Sequence, residues 1–196
     1  MYLISYGTRP ELIKLFPLIN IFKENNIDHK TIFTGQHEDL IKEFENLTHR
    51  PDFVLEKTMK HKQSINSLIY KIINESQKII NSYDCKVIIL GDAASSFAVA
   101  LSAFNEGKEV IHVEAGLRTH NLRSPFPEEG FRKMISHISN IHFCPTIKSV
   151  ENLKNEGITE NVHLVGNTIV DSCAQIIEKG ESSDYLNELI SSNDDY

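Results

Sequence analysis

Short apolar runs alternate with longer stretches of helical periodicity along most of this chain. Most of the runs are continuously apolar, which is typical of strands that are covered on both faces. Strands that alternate with helices predict an α/β fold with a parallel, doubly wound sheet. The predicted strands cover residues 2–6, 30–34, 86–90, 109–113, 141–144 and 162–165.

The stretches between these strands predict helices at residues 10–23, 37–45, 63–80, 92–105, 128–138 and 146–155. Pro10 suits the first turn of a helix, and Gly157 suits the position just after one. A further helical stretch, residues 171–179, is followed by a polar tail. The 196 residues therefore predict one α/β domain over residues 1–172 and a helical linker or tail over residues 173–196.

The composition argues against several classes of function. The formal net charge is -7, and Lys and Arg are scattered, so nucleic acid is not the expected partner. No run approaches the roughly 20 apolar residues of a membrane-spanning helix, and no signal segment precedes the first predicted strand. Cys85, Cys144 and Cys173 are far apart and are expected to be reduced. These features predict a cytoplasmic protein without membrane contacts.

Polar residues concentrate just after the predicted strands, and ligands of doubly wound sheets bind beyond those carboxyl ends. Residues 7–11 join the first strand to a helix that begins in Pro. Such a turn leaves backbone N–H groups for a phosphate or carboxylate, and Arg9 and Lys14 add positive charge. The alternative is an ordinary turn with a surface Arg and Lys. The glycine pattern matches neither a P-loop nor a dinucleotide-binding fingerprint.

Acidic side chains follow two of the most apolar strands. Asp92 stands where it can cap a helix, and Glu114 stands where an ionised carboxylate needs a partner, for which Arg118 is a candidate. Glu128 and Glu129 suit the first turn of a helix. Carboxylates that converge from separate loops also change one another's pKa, so that one acts as an acid and another as a base. That arrangement suits chemistry at a sugar ring.

The histidines are less informative than the carboxylates. His37 follows a predicted strand and is a candidate ligand contact. His112 lies inside an apolar run, where a histidine with satisfied hydrogen bonds in the core is the expected role. The spacing of His, Cys and acidic residues does not match a zinc site, so no metal is predicted.

Several segments, taken in order, resemble the motifs of the non-hydrolysing UDP-N-acetylglucosamine 2-epimerases. The resemblance extends from about residue 3 to residue 172. The segments are residues 7–14 (GTRPELIK), 34–37 (TGQH), 91–92 (GD), 112–118 (HVEAGLR), 124–129 (SPFPEE) and 166–171 (GNTIVD).

The resemblance implies a Rossmann-like domain that forms the amino-terminal half of a two-domain, GT-B-like enzyme. It implies reversible conversion of UDP-N-acetylglucosamine to UDP-N-acetylmannosamine, through elimination of UDP, a 2-acetamidoglucal intermediate and re-addition of UDP. No cofactor is needed under this scheme. The family also suggests a homodimer and a role in supplying N-acetylmannosamine units for surface polysaccharide.

The same resemblance assigns roles to individual residues. The family's catalytic carboxylates match Asp92, Glu114 and Glu128. Residues of the family's substrate site match Arg9 and Lys14. Further residues of these segments are predicted to bind substrate, namely Gln36, His37, Arg118, Glu129 and Arg132.

The chain departs from the family pattern in several places. Residues 93–96 replace a run of threonines, Phe131 replaces an asparagine, and Glu38 replaces an arginine near the family's regulatory UDP-N-acetylglucosamine site. Family chains are nearly twice as long, and the second half grips UDP and contributes a catalytic histidine. Without that half, which a separate chain would have to supply, weak binding and little turnover are expected.

Three alternatives remain from the sequence. The first is a non-catalytic nucleotide-sugar-binding or assembly subunit that needs a partner chain. The second is the acceptor-side half of a GT-B glycosyltransferase, because one fold hosts many functions. The third is a hydrolysing epimerase that releases free N-acetylmannosamine.

Overall fold

The computed structural model describes residues 1–35, 50–55 and 63–178. Within these ranges, seven strands form one sheet in the order β3-β2-β1-β4-β5-β6-β7. Every pairing is parallel, and the order changes direction between β1 and β4, so the predicted doubly wound α/β fold is confirmed. The strands are β1 Tyr2–Tyr6, β2 His29–Phe33, β3 Phe53–Val54, β4 Lys86–Leu90, β5 Val110–Val113, β6 Ile141–Cys144 and β7 Val162–Leu164.

The helices of the described ranges lie close to their predicted positions. The predicted helix at residues 37–45 lies outside those ranges. The last helix begins at Thr168, so the predicted boundary after residue 172 falls inside it, and the division into a domain and a linker stays a prediction. The helices are α1 Arg9–Glu24, α2 Ile65–Asn81, α3 Ala94–Asn105, α4 Glu128–Ile138, α5 Ile147–Asn155 and α6 Thr168–Glu178.

Alternate residues of the strands pack against helices on opposite faces of the sheet. On one face, Leu3, Val87 and Ile89 belong to a buried cluster that includes residues of α2 and α3. On the other face, Ile4 and Ile88 pack with residues of α1. This coverage of both faces explains why the strands are continuously apolar.

Two helix contacts complete the fold around the carboxyl ends of the strands. The rings of Phe97 on α3 and Phe131 on α4 stack with centroids 4.9 Å apart, so Phe131 extends the apolar core. The hydroxyl of Ser172 donates to the carbonyl of Ile13 at 2.6 Å, which holds α6 against α1. Among the described residues, the structure contains no helix long and apolar enough to span a bilayer.

Candidate active site

The loops after β4 and β5 begin side by side, because Leu90 and Val113 are paired in register. Gly91 has φ +71° and Glu114 has φ +65°, so both backbones lie in the left-handed region. A Cβ atom placed on Gly91 would lie 3.8 Å from Oε2 of Glu114, so the carboxylate is next to this glycine. A non-glycine residue in that conformation costs about 1–2 kcal/mol and persists where surrounding contacts hold it.

Glu114 is held by side chains from two other segments. Nζ of Lys14 lies 2.6 and 2.8 Å from the two carboxylate oxygens, and Nδ2 of Asn167 donates to Oε1 at 3.2 Å. The predicted pairing of Glu114 with Arg118 is therefore wrong. Gly116 packs closely against the backbone of Ser149 at the start of α5, so the intervening turn carries Arg118 away from Glu114.

Arg118 is bound within the protein on the side of α4 and α5. Its side chain is 0% exposed, and its Nε and Nη2 atoms donate to Glu156 at 2.9 and 2.7 Å. Nη2 also donates to the hydroxyl of Ser136 at 2.9 Å. These hydrogen bonds from Arg118 are the main reason why the pKa of Glu156 is lowered. These contacts give Arg118 a structural role within the described residues, and its predicted contact with substrate stays a prediction.

Arg132 links two carboxylates at this edge of the sheet. Its Nε donates to Asp92 at 2.8 Å, its Nη2 also contacts Asp92, and its Nη1 donates to Glu129 at 3.2 Å. The N-cap of α3 is Ala93, so the helix-capping interpretation of Asp92 is wrong. Glu128 lies four residues before Arg132 and therefore on the same side of α4. The predicted catalytic carboxylate Glu128 thus shares a side of α4 with Arg132, which contacts Asp92.

Glu129 is buried and fixes the loop that precedes α4. Its carboxylate accepts backbone N–H groups from Thr119 and His120, each at 3.0 Å. Desolvation by itself would raise the pKa of Glu129, but these hydrogen bonds and the charge of Arg132 lower it. The contacts support a role for Glu129 in holding the loop and Arg132, and its predicted contact with substrate stays a prediction.

The turn after β1 does not offer the free amides that its sequence predicts. The N–H groups of Gly7 and Thr8 donate to Oε2 of Glu11 at 2.7 and 2.8 Å. The other oxygen of Glu11 accepts a hydrogen bond from Ser96 at 2.7 Å, and burial raises the pKa of Glu11. A buried carboxylate of the same chain therefore takes these two amides, while the predicted substrate contacts of Arg9 and Lys14 stay predictions.

The remaining predicted substrate contacts have different outcomes. Arg9 is exposed at the first residue of α1, while Gln36 and His37 lie outside the described residues. Asn167 is not among the site residues predicted from the sequence. The signal was present, since Asn167 belongs to the GNTIVD segment, but only the fold brings it to Glu114.

Comparisons with known proteins show which family of proteins this chain is similar to. A family model described as UDP-N-acetylglucosamine 2-epimerase matches residues 20–195. The UDP-N-acetylglucosamine 2-epimerase of Campylobacter jejuni is 37% identical over 181 residues, which cover 90% of this chain and 47% of that protein. The one from Salmonella borreze is 38% identical over 195 residues, covering 96% of this chain and 51% of that protein. The chain thus spans about half the length of these curated relatives.

Solved structures that are similar to this chain include further UDP-GlcNAc 2-epimerases. The Neisseria meningitidis UDP-GlcNAc 2-epimerase bound to UDP-GlcNAc is similar with a TM-score of 0.86 and 34% identity, over 97% of this chain and 53% of that one. The Methanocaldococcus jannaschii UDP-GlcNAc 2-epimerase in complex with UDP-GlcNAc and UDP has a TM-score of 0.86 and 35% identity, over 98% of this chain and 54% of that one.

Proposed function

Because this chain belongs to the UDP-N-acetylglucosamine 2-epimerase family, we propose that it supplies the carboxylate-bearing half of a nucleotide-sugar epimerase site. The proposed reaction interconverts UDP-N-acetylglucosamine and UDP-N-acetylmannosamine. The observation that carries this proposal is the gathering of Glu114 and Asp92 at the ends of the paired strands β5 and β4. The names of the relatives favour an epimerase over a non-catalytic subunit.

In the proposed reaction, a carboxylate takes the proton from C2 of the sugar. The electron pair of that C–H bond forms the C1–C2 double bond while the C1–O bond to UDP breaks, which yields 2-acetamidoglucal and UDP. UDP then adds back to C1, and a proton reaches C2 from the opposite face. The sequence of steps is balanced without an oxidant or reductant, and positioned carboxyl groups can perform each proton transfer.

We assign the proton transfers and the stabilisation of charge at the ring to Asp92, Glu114 and Glu128. Lys14 orients Glu114 from α1, and Asn167 orients it from the position just before α6. Arg132 orients Asp92 from α4. Lys14 and Arg132 thus act from helices, which suits groups that must meet a sugar ring in one geometry.

The rest of the site lies, in this proposal, on a second wall that grips UDP. It belongs either to the same polypeptide or to a separate carboxyl-terminal half, because relatives extend over about twice this length. We also propose a cytoplasmic homodimer. Exposed apolar side chains of α2 and α3, Tyr70 and Phe104, support self-association, and sedimentation equilibrium tests it.

The test is proton NMR of UDP-N-acetylglucosamine in deuterated water. Its rate of deuterium incorporation at C2 is measured with the chain alone and with the chain plus the carboxyl-terminal half of a family member. We expect exchange and the manno epimer in the complemented sample, and little of either with the chain alone. The variant Glu114→Gln should abolish exchange in the complemented sample.

The matched control is Glu109→Gln, which changes an exposed carboxylate at the opposite end of β5. It should exchange at the wild-type rate. Saturation-transfer NMR reports binding in the same samples. Binding without exchange in the complemented wild type would overturn the epimerase proposal in favour of a non-catalytic binding subunit.

A further inference from the structure

His112 is a buried histidine next to the proposed site that the epimerisation steps above do not use. It lies on β5, is 1% exposed, and its Nε2 atom is 2.9 Å from the carbonyl oxygen of Gly91. A carbonyl oxygen only accepts hydrogen bonds, so Nε2 carries the hydrogen. Among the described residues, Nδ1 of His112 has no hydrogen-bond partner. Burial lowers the pKa of His112 to about 3, so the ring is neutral at physiological pH.

The hydrogen bond from His112 holds the backbone of Gly91, which directly precedes Asp92. The N–H of Gly91 donates to the carbonyl of Val113 at 3.0 Å, and its own carbonyl accepts from His112, so both of its peptide groups are tied to β5. Glycine has more backbone freedom than any other residue. Without these two bonds, the left-handed conformation of Gly91 and the direction of the next residue would be poorly determined.

Two contacts set the orientation of Asp92, one through its backbone and one through its carboxylate. Its backbone follows the fixed Gly91 peptide, and its carboxylate is held by Arg132. The Glu114 carboxylate is next to Gly91, with Oε2 3.8 Å from a Cβ placed on that glycine. A rotation of the Gly91–Asp92 peptide would therefore change the relative placement of the two carboxylates.

We propose that His112 is a positioning residue, which fixes the Gly91–Asp92 peptide through its Nε2–H and thereby sets the Asp92 carboxylate relative to Glu114. This inference rests on the proposed function for its catalytic consequence. Its structural part concerns the chain alone and is testable without turnover.

The fold provides a matched control in the neighbouring strand. His142 on β6 is paired in register with His112, is 2% exposed, and donates its Nε2–H to the carbonyl of Ser136, 2.9 Å away. Its Nδ1 also lacks a partner among the described residues. The two histidines thus share burial and tautomer, but the acceptor of His142 lies on α4 and not beside Asp92.

The first experiment is NMR of the 15N-labelled chain at neutral pH. We expect the Nε2–H tautomer for His112, and an Arg132 Nε–H signal that exchanges slowly with water because it donates to Asp92. In His112→Leu this exchange should be faster by about tenfold or more, whereas His112→Gln, which keeps an N–H donor, and His142→Leu should match the wild type. Equal Arg132 exchange in His112→Leu and the wild type would overturn the proposal.

If His112→Leu does not fold, the tautomer of His112 in the wild type still tests the proposal. A hydrogen on Nδ1 instead of Nε2 would overturn it. The second experiment measures C2 exchange in the complemented enzyme. We expect kcat of His112→Leu to fall about tenfold or more with KM changed less than about threefold, and His112→Gln to restore kcat.

These experiments separate the two claims. Absence of C2 exchange in the complemented wild type would overturn the proposed function, while the Arg132 signal would still decide the role of His112. Exchange in the wild type with equal kcat in His112→Leu and His142→Leu would overturn the positioning role alone.

Discussion

Nζ of Lys14 lies 2.6 Å from one carboxylate oxygen of Glu114 and 2.8 Å from the other, although the two residues are 100 positions apart in the sequence. This ion pair joins the first helix to the loop after β5. Asn167, the residue just before α6, donates to the same carboxylate. The orientation of Glu114 therefore depends on three segments that only the folded chain brings together.

Replacing Lys14 with Met should lower the rate of C2 exchange in the complemented enzyme by about 100-fold or more, because Glu114 loses its cationic partner and its orientation. The rate is measured by NMR in deuterated water. Lys78→Met is the control, since Lys78 forms an exposed pair with Glu75 on α2, and it should leave the rate unchanged. A wild-type rate in Lys14→Met would show that Glu114 acts without this pair.

Replacing Arg118 with Met should lower the free energy of unfolding by about 3 kcal/mol, because Glu156 and Ser136 lose a buried partner. Urea denaturation of the chain measures this change. Lys148→Met breaks an exposed pair on α5 and should change it by less than about 1 kcal/mol. Unchanged stability of Arg118→Met with lost UDP-N-acetylglucosamine binding would instead support the substrate contact predicted from sequence.

Replacing Phe131 with Ala should cost about 3 kcal/mol of unfolding free energy, since the side chain is 7% exposed and stacks on Phe97. Phe126→Ala removes the same atoms from a side chain that is 67% exposed, and its effect should be within about 0.5 kcal/mol. Thermal unfolding of the two variants provides the comparison. Equal stabilities would contradict a core role for Phe131.

Replacing Gly116 with Ala should destabilise the chain more than replacing Gly157 with Ala. Both glycines have φ near +80°, at +83° and +82°, so both substitutions share a backbone cost of about 1 kcal/mol. A Cβ on Gly116 would also overlap the backbone carbonyl of Ser149, whereas none of the described atoms lies within 4 Å of a Cβ on Gly157. Urea midpoints of the two variants test this difference, and a smaller effect at Gly116 would contradict the close approach.

The free energy of unfolding should decrease as the pH falls below about 6.5, because unfolded histidines bind protons that His112 and His142 do not bind in the fold. Burial is the main cause of both lowered pKa values. Each such histidine contributes a slope of at most about 1.4 kcal/mol per pH unit until its folded pKa is reached, which is about 3 for His112.

Urea denaturation between pH 7 and pH 5 measures this slope. His112→Gln should reduce it, because the substitution removes one of the two groups. An identical slope in the wild type and in His112→Gln would show that His112 is protonated similarly in the folded and unfolded chain.

Local sequence patterns were sufficient for most of the fold. The continuous apolar runs predict the strands that are buried on both faces, such as β4 at Lys86–Leu90, because burial of a strand is visible in its own residues. The two residues of β3 are too few to show such a pattern, so that strand became visible only through its pairing with β2. The prediction that the polar segments meet at one edge of the sheet also followed from the parallel order of the strands.

Apolar patterns and motifs in the sequence are enough to derive the parallel α/β fold, the edge where polar loops gather and the candidate carboxylates. Which charges pair at that edge follows from packing. Arg118 is the arginine or lysine nearest to Glu114 along the chain, yet Lys14 holds Glu114 and Arg132 holds Asp92. The physical reason is that apolar periodicity is a local property, whereas ion pairs form between helix and loop ends that packing brings together over long sequence separations.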